Sequence, residues 1–282
     1  MQTVIGLGKA GCNIADKLSA YPQYQIKKID VGLKKTKTTF GLKHQDGPEL
    51  YEKSNMPKGI NNFLEGVMPE TLFITSCGAV SGASLKILQK IHKKTKLTVM
   101  YVIPQRDDLV GEKLLQNRLL FNVFQEYARS DLLNRVFLID NSNLSDIIGP
   151  VPIMKFWDSI NNLVATTYHM LNVFQNTQSV ITTQTKRINS ARVSTIGLLD
   201  SEKNEEKLFF DLDIPREKCY YYGVPKKQLE EDPNLMEVIK TNLRSNVEHE
   251  KMKTTYSVHS TEYKELIAYC EKSSTLIQQL AV

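Results

Sequence analysis

Little in this sequence invites redox, metal or membrane chemistry. Its four cysteines, Cys12, Cys77, Cys219 and Cys270, stand far apart with no CxxC pair. That spacing excludes a zinc ribbon or a disulfide framework and leaves reduced thiols. The five histidines show no ligand spacing. No apolar run reaches the ~18 residues of a membrane span. The first residues read as a strand, not as a charged segment ahead of an apolar signal region. The expectation is a cytoplasmic protein that makes no membrane contact. Internal repeats and low-complexity linkers are lacking as well. What remains is ordinary globular composition: 282 residues, 41% hydrophobic, with ten prolines, enough for one large domain or two modest ones.

Net charge is +5. Lysines cluster at Lys27, Lys28, Lys34, Lys35 and Lys37, and again at Lys90, Lys93, Lys94 and Lys96. Solvated edges and helix ends are the plainer reading. Nucleic-acid binding is the sharper one, although the charge is not concentrated in a single helix or arm.

The chain is organised around its opening. Val4 and Ile5 close a short apolar strand, Gly6, Gly8 and Gly11 follow at GxGxxG spacing, and Asn13 to Leu18 read as a helix. Glycines let the backbone turn tightly and approach a phosphate, whose charge is met by free N–H groups at the helix start. A tight strand-to-helix turn without a ligand would use the same glycines. Further strands are expected at Gln25–Asp30, Thr71–Ser76, Leu97–Pro104 and Arg135–Asp140. Gly41 to Leu50 reads as a polar loop leading into a helical stretch through Phe63. Cys77 to Ser84 is a second small-residue loop, with a helix marked by Leu85, Leu88 and Ile91 behind it. Leu114 to Tyr127 is helical. Strands alternating with helices imply a parallel sheet covered on both faces, with both loops at the carboxyl ends of strands, where open α/β sheets bind ligands. A helix of roughly six turns spans Ile153 to about Gln175 and should be largely buried. Beyond it, Val193–Leu199 and Cys219–Val224 read as strands, Ser201–Lys207 as a charged turn, and Asn234–Leu243 and Ser260–Leu280 as helices. The fold class is therefore α/β: a parallel Rossmann-like domain over 1–152, a long central helix over 153–176, and a smaller α+β second domain over 177–282 that ends in a helix.

In this order of parts, residues 1–180 resemble the tubulin/FtsZ superfamily, with the Asp140-Asn141 pair nearest to the TubZ type of phage and plasmid tubulins. The run Gly6, Leu7, Gly8, Lys9, Ala10, Gly11, Cys12, Asn13 resembles that family's first nucleotide loop. The loop holding Asp46 and Gly47 resembles the one that approaches the γ-phosphate. Cys77, Gly78, Ala79, Val80, Ser81 and Gly82 stand where the family carries GGGTGTG. Only Gly78 and Gly82 keep their places there, and Ala79 and Val80 restrict positive φ and crowd phosphates. The resemblance implies that Asn141 reads guanine and that a side chain near Asn161 or Asn162 meets its edge. It also implies GTP or GDP as cofactor, with Mg2+ a candidate companion of the phosphates. In the family a loop after the central helix supplies acids to a neighbour's site. Here Thr177 to Arg187 has no acid, so Thr183, Gln184 and Arg187 become the catalytic candidates, with Gln184 placed to orient water as glutamine does in other GTPases.

Three functions follow. The first is a GTP-binding cytoskeletal protein that polymerises head to tail and positions phage or plasmid DNA, with itself as partner and a DNA-bound adaptor as a candidate second one. The second is a non-hydrolysing scaffold or regulator of the same fold, favoured by the two altered loops. The third is a dinucleotide-dependent oxidoreductase in which Asp30 would take the ribose hydroxyls. The second small-residue loop and the long helix discriminate, since dinucleotide enzymes need neither. The apolar chain end, Leu276 to Val282, packs on its own domain or docks on the next subunit.

Overall fold

The computed structural model describes residues 1–201, 203–245 and 251–280. It divides into two compact units, one over residues 1–166 together with the chain end from 279, and one over 167–278.

The first unit is an all-parallel sheet. Its strands are β1 (Gln2–Leu7), β2 (Tyr24–Val31), β3 (Thr39–Leu42), β4 (Glu70–Thr75), β5 (Lys96–Ile103) and β6 (Arg135–Asp140), in the order 3-2-1-4-5-6. β1, β4, β5 and β6 are buried along nearly their whole length. Such continuous apolar runs are what a parallel sheet covered on both faces requires. The covering helices are α1 (Gly8–Leu18), α2 (Pro48–Lys53), α3 (Ile60–Phe63), α4 (Ser84–Ile91), α5 (Gly111–Arg129) and α6 (Asn141–Ile148). The polar loop expected over Gly41–Leu50 holds the end of β3 and the start of α2, with Pro48 in the first turn, where its missing N–H costs nothing. The segment after β6 runs straight into α6, because Asp140 caps it by accepting from the Ser142 N–H at 2.8 Å. Helix α7 (Phe156–Asn176) carries the chain from the first unit into the second.

The second unit is a mixed sheet of β7 (Ile181–Thr182), β8 (Val193–Asp200), β9 (Glu205–Leu208), β10 (Glu217–Pro225), β11 (Lys253–Thr261) and β12 (Ile267–Ser274). Its order is 8-12-10-11-7, with β9 on the side of β8 and only the β10–β11 pair parallel. The helices are α8 (Lys226–Glu231) and α9 (Leu235–Ser245). Two expectations fail here. The charged turn over Ser201–Lys207 includes most of β9. The C-terminal helix over Ser260–Leu280 does not form: the end of β11 and all of β12 occupy that stretch, and Thr275 to Leu280 have no helical structure. The last two residues of the apolar chain end, 281 and 282, lie outside the described residues. The cause is burial of charge. Lys272 and Glu271, next to each other on β12, point to opposite faces and are 5% and 2% exposed. Lys272 reaches Glu206 of β9 at 2.6 Å, Lys218 of β10 reaches the same carboxylate at 3.1 Å, and the Tyr220 hydroxyl donates to it. On the other face Glu271 accepts from Arg187 and from Gln175. Buried charges persist only when paired and hydrogen-bonded in this way.

Burial alone would raise the Glu206 carboxyl, but Lys272, Tyr220 and Lys218 outweigh it and hold the group below the usual carboxylate range. A carboxyl depressed in the folded state contributes stability fully above its unfolded value, near about 4.3, and loses it as pH falls through the folded value. The urea midpoint of the protein should therefore drop steeply below about pH 4, and that of Glu206→Gln, lower at neutral pH, should fall less over the same range. Parallel acid profiles for the two proteins would contradict the assignment.

Candidate functional site

The site grows from the β1–α1 junction. Gly8 turns the chain at φ +71°, a conformation that favours glycine. The helix then starts so close to the sheet that an added Cβ on Gly6 would overlap the Gly11 carbonyl, and one on Gly11 would overlap the Ile74 carbonyl of β4. No capping side chain and no first-turn acid stands at the start of α1. Its first N–H groups, which have no partner within the helix, are left for a ligand.

They open into a cavity of about 650 Å³ at the carboxyl ends of the first unit's strands, where open α/β sheets bind ligands and within the range of small-molecule sites. Gly8, Lys9, Ala10 and Asn13 line one side. Gly78, Ala79, Val80 and Ser81 line another. Ala79 to Ala83 form a 3-10 turn, and neither Ala79 nor Val80 has positive φ. The substituted loop is thus unstrained, and Val80 narrows the cavity with a side chain. Opposite lie Asn141 at the start of α6, and Trp157 and Asn161, one turn apart on α7. Asn141 is 7% exposed, and its Oδ1 is buried with no hydrogen-bond partner. A buried acceptor left unmet costs about 1–3 kcal/mol, and among the residues lining the cavity Asn141 is the one that carries such an atom. The cavity's ionic groups are Lys9, Lys113, Asp30 and Asp108, with Lys113 3.8 Å from Asp108.

Of the expected site residues, Gly8, Lys9, Ala10, Asn13, Gly78, Ala79, Val80, Ser81, Asn141 and Asn161 line the cavity. Gly6, Gly11, Cys12, Cys77, Gly82, Asp46 and Gly47 do not. Gly6 and Gly11 serve helix–sheet contact. Gly82 lets the 3-10 turn lie on α2, since a Cβ there would overlap the Pro48 carbonyl. Cys12 is buried, with its thiol toward the Gly6 and Ile29 carbonyls at 3.5 and 3.7 Å, and burial and Asp30 push it up to about 12. Burial likewise raises Cys77 to about 11. Both thiols stay protonated at neutral pH. Asp46 is solvated beside His44, and Gly47 precedes α2. Residues missed from sequence include Lys113, Asp108 and Trp157, which reach the cavity from elements distant in the chain. The one signal was that the only tryptophan opens the long helix.

The catalytic candidates lie in the second unit and do not line the cavity. Gln184 Nε2 lies 3.1 Å from both Cys219 Sγ and Ser257 Oγ. Arg187 is engaged by the buried Glu271 and by the Tyr221 hydroxyl. The Thr183 N–H donates to the Tyr256 carbonyl, and its hydroxyl accepts from the Tyr256 N–H. These side chains and strand β7 fasten the segment after α7 to the second unit's own sheet, so Gln184 and Arg187 are spent locally.

A parallel α/β sheet with a cavity at its carboxyl edge, followed through a long helix by a mixed-sheet unit, defines the class. The particular fold is that of the tubulin/FtsZ superfamily. An FtsZ dimer from M. jannaschii is 12% identical with TM-score 0.70, over 96% of this chain and 87% of that one. GDP-form protofilaments of TubZ from Bacillus thuringiensis serovar israelensis give 16% and 0.72, over 96% and 83%. A GTPγS-bound protofilament of CetZ2 from Haloferax volcanii gives 14% and 0.72, over 97% and 94%. No protein-family model and no curated protein sequence matches the chain.

Gly11→Ala should lower stability by about 1–3 kcal/mol through overpacking against Ile74. Gly78→Ala, where nothing lies within 4 Å of an added Cβ, should stay within about 0.5 kcal/mol. Thermal unfolding compares them, and equal melting temperatures would mean that the α1 start is not held against β4.

Proposed function

We propose that the chain binds a guanine nucleotide in the first unit's cavity, assembles head to tail into filaments, and turns the nucleotide over slowly. The observation that carries the nucleotide reading is the buried, unmet Oδ1 of Asn141. Guanine presents two adjacent donors, N1–H and the 2-amino group, which one carbonyl oxygen can accept together. Adenine presents a donor next to an acceptor. Trp157 offers an aromatic face to the base, and Asn161 a second amide. The α1 start, the backbone of Ala79–Ser81, Lys9 and Lys113 suit the phosphates. Asp30, at the end of β2, suits the sugar hydroxyls. Mg2+ would enter with the nucleotide, held chiefly by phosphate oxygens, with Asp108 the carboxylate of the cavity left to join them. Among the described residues no group of three or more His, Cys, Asp or Glu could hold a metal without it.

Assembly is supported by the protofilament structures of TubZ and CetZ2. Head-to-tail contact is heterologous and gives open filaments. The segment that in the resembled family delivers an acid to the neighbour has none here, and its Gln184 and Arg187 are held by the second unit. Loss of a general base costs about 10²–10⁴ in rate. Filaments of this chain are accordingly long-lived, because nucleotide loss no longer drives subunit release.

Calorimetry with GTP and ATP tests the nucleotide reading. The unaltered protein should prefer GTP, and Asn141→Ala should lose about tenfold of that preference. Equal affinities for the two in the unaltered protein would refute it. Phosphate release against protein concentration tests turnover. Sedimentable polymer with a flat rate far below about 1 per second is expected, and a rate rising cooperatively with concentration would contradict it.

A further inference from the structure

The net charge of this chain has one source. Between residues 33 and 96 eleven lysines stand against five acids, a net +6, while all the other residues together come to −1. The fold gathers that stretch on one side of the first unit. Along β2, Lys28 turns toward α1, 2.6 Å from Asp16, and Lys27 turns to the opposite face, donating to the Phe63 carbonyl of α3 at 2.7 Å. Helix α4 lies with α2 and α3: Lys86 Nζ donates to the Ser54 carbonyl at the end of α2 at 2.7 Å. Right-handed crossovers running in opposite directions from the middle of the sheet also put α1 and α4 on opposite faces. The 32–38 loop joins this side, since Lys35 Nζ lies 2.7 Å from where a Cβ on Gly59 would sit, just ahead of α3. Lys34, Lys35 and Lys37 of the loop, Lys58 before α3, and Lys90, Lys93 and Lys94 at the end of α4 are all exposed. Of the eleven lysines, only Lys96 has a carboxylate partner among the described residues, Glu70 at 3.4 Å.

The chemistry of the face narrows its partner. Leu50 is the one large exposed hydrophobic side chain of the stretch among the described residues. Phe40, Tyr51, Phe63 and Phe73 are all buried, so no large aromatic face is offered for stacking unpaired bases, and with so little apolar surface nothing wedges into a bilayer. Unpaired ammonium groups on flexible stems, spread over the 32–38 loop, the approach to α3 and the end of α4, suit regularly spaced phosphates. The stretch has no arginine, whose planar fork makes the commonest specific contact to base edges. We propose that this face binds the backbone of double-stranded DNA directly and without sequence preference. Contact of this kind needs no DNA-bound adaptor. The proposal is independent of the nucleotide reading, because these lysines lie outside the cavity.

The test is fluorescence anisotropy of the full chain with a labelled duplex of mixed sequence, between about 50 and 200 mM salt. The expected result is a linear fall of log K with log salt. Lys34→Glu/Lys35→Glu/Lys37→Glu and Lys90→Glu/Lys93→Glu/Lys94→Glu should each lose at least about tenfold in affinity and flatten the slope by up to about 3. Lys226→Glu/Lys227→Glu/Lys240→Glu in the second unit makes the same change of charge and should keep both. The two face variants alter separate segments, so misfolding of one leaves the other to decide, with thermal unfolding as the check. Absence of duplex binding at the lowest salt, tighter binding to single strands or to anionic vesicles than to duplex, or an equal loss in the second-unit variant would each overturn the proposal.

Discussion

Backbone packed on backbone at the start of α1 is the contact on which the cavity depends. Side chains at Gly6 or Gly11 would push α1 off the sheet by occupying the Gly11 and Ile74 carbonyl positions. With the helix seated, its first-turn N–H groups stand at the carboxyl edge, and the positive end of the helix meets whatever enters. The strands then hold the other walls at fixed distances: β2 presents Asp30, β4 leads into the Gly78–Ser81 turn, and β6 delivers Asn141. Gly6 and Gly11 thus make the site without touching it, while Gly8 lines it.

The cavity has two chemically different ends. One is backbone amide and lysine, suited to anions. The other is an aromatic ring with two asparagines, suited to a flat heterocycle with donors on its edge. At the first end Val80, near Gly8, takes volume that a glycine would leave open, yet without strained backbone. A loop that departs from a glycine-rich pattern therefore need not lose the site, because its work is done by N–H groups that every residue but proline carries.

The cavity and the segment following α7 are built by different units. The segment following α7 is fastened to the second unit by Arg187 with Glu271, by Gln184 with Ser257 and by the β7–β11 pairing. A segment so fixed is a structural strap. Its hydroxyls and amides match that role, since Thr and Gln satisfy neighbouring backbone and side-chain groups at no cost in charge.

Where burial follows hydrophobicity, the sequence is easy to read. β4, β5 and β6 are apolar runs ending at proline, serine or a capping aspartate, and each lies within a residue or two of its expected place. β12 was illegible because Glu271, Lys272, Ser273 and Ser274 are all buried, so polarity no longer marks the solvent side, and Tyr263, Leu266, Tyr269 and Cys270 mimic a helical spacing. Helix α6 was hidden by its low-propensity opening, Asn-Ser-Asn, although Asp140 ahead of it is a capping signal. The glycine loops gave away the cavity, whereas Lys113 and Trp157 could not be placed in it until α5 and α7 were. The central claim, that this cavity holds a guanine nucleotide, is tested most directly by denaturing gently purified protein and chromatographing what is released. Stoichiometric GDP or GTP is the predicted result. Release of adenine nucleotide or of a dinucleotide, or no release together with no uptake of added GTP, would contradict it.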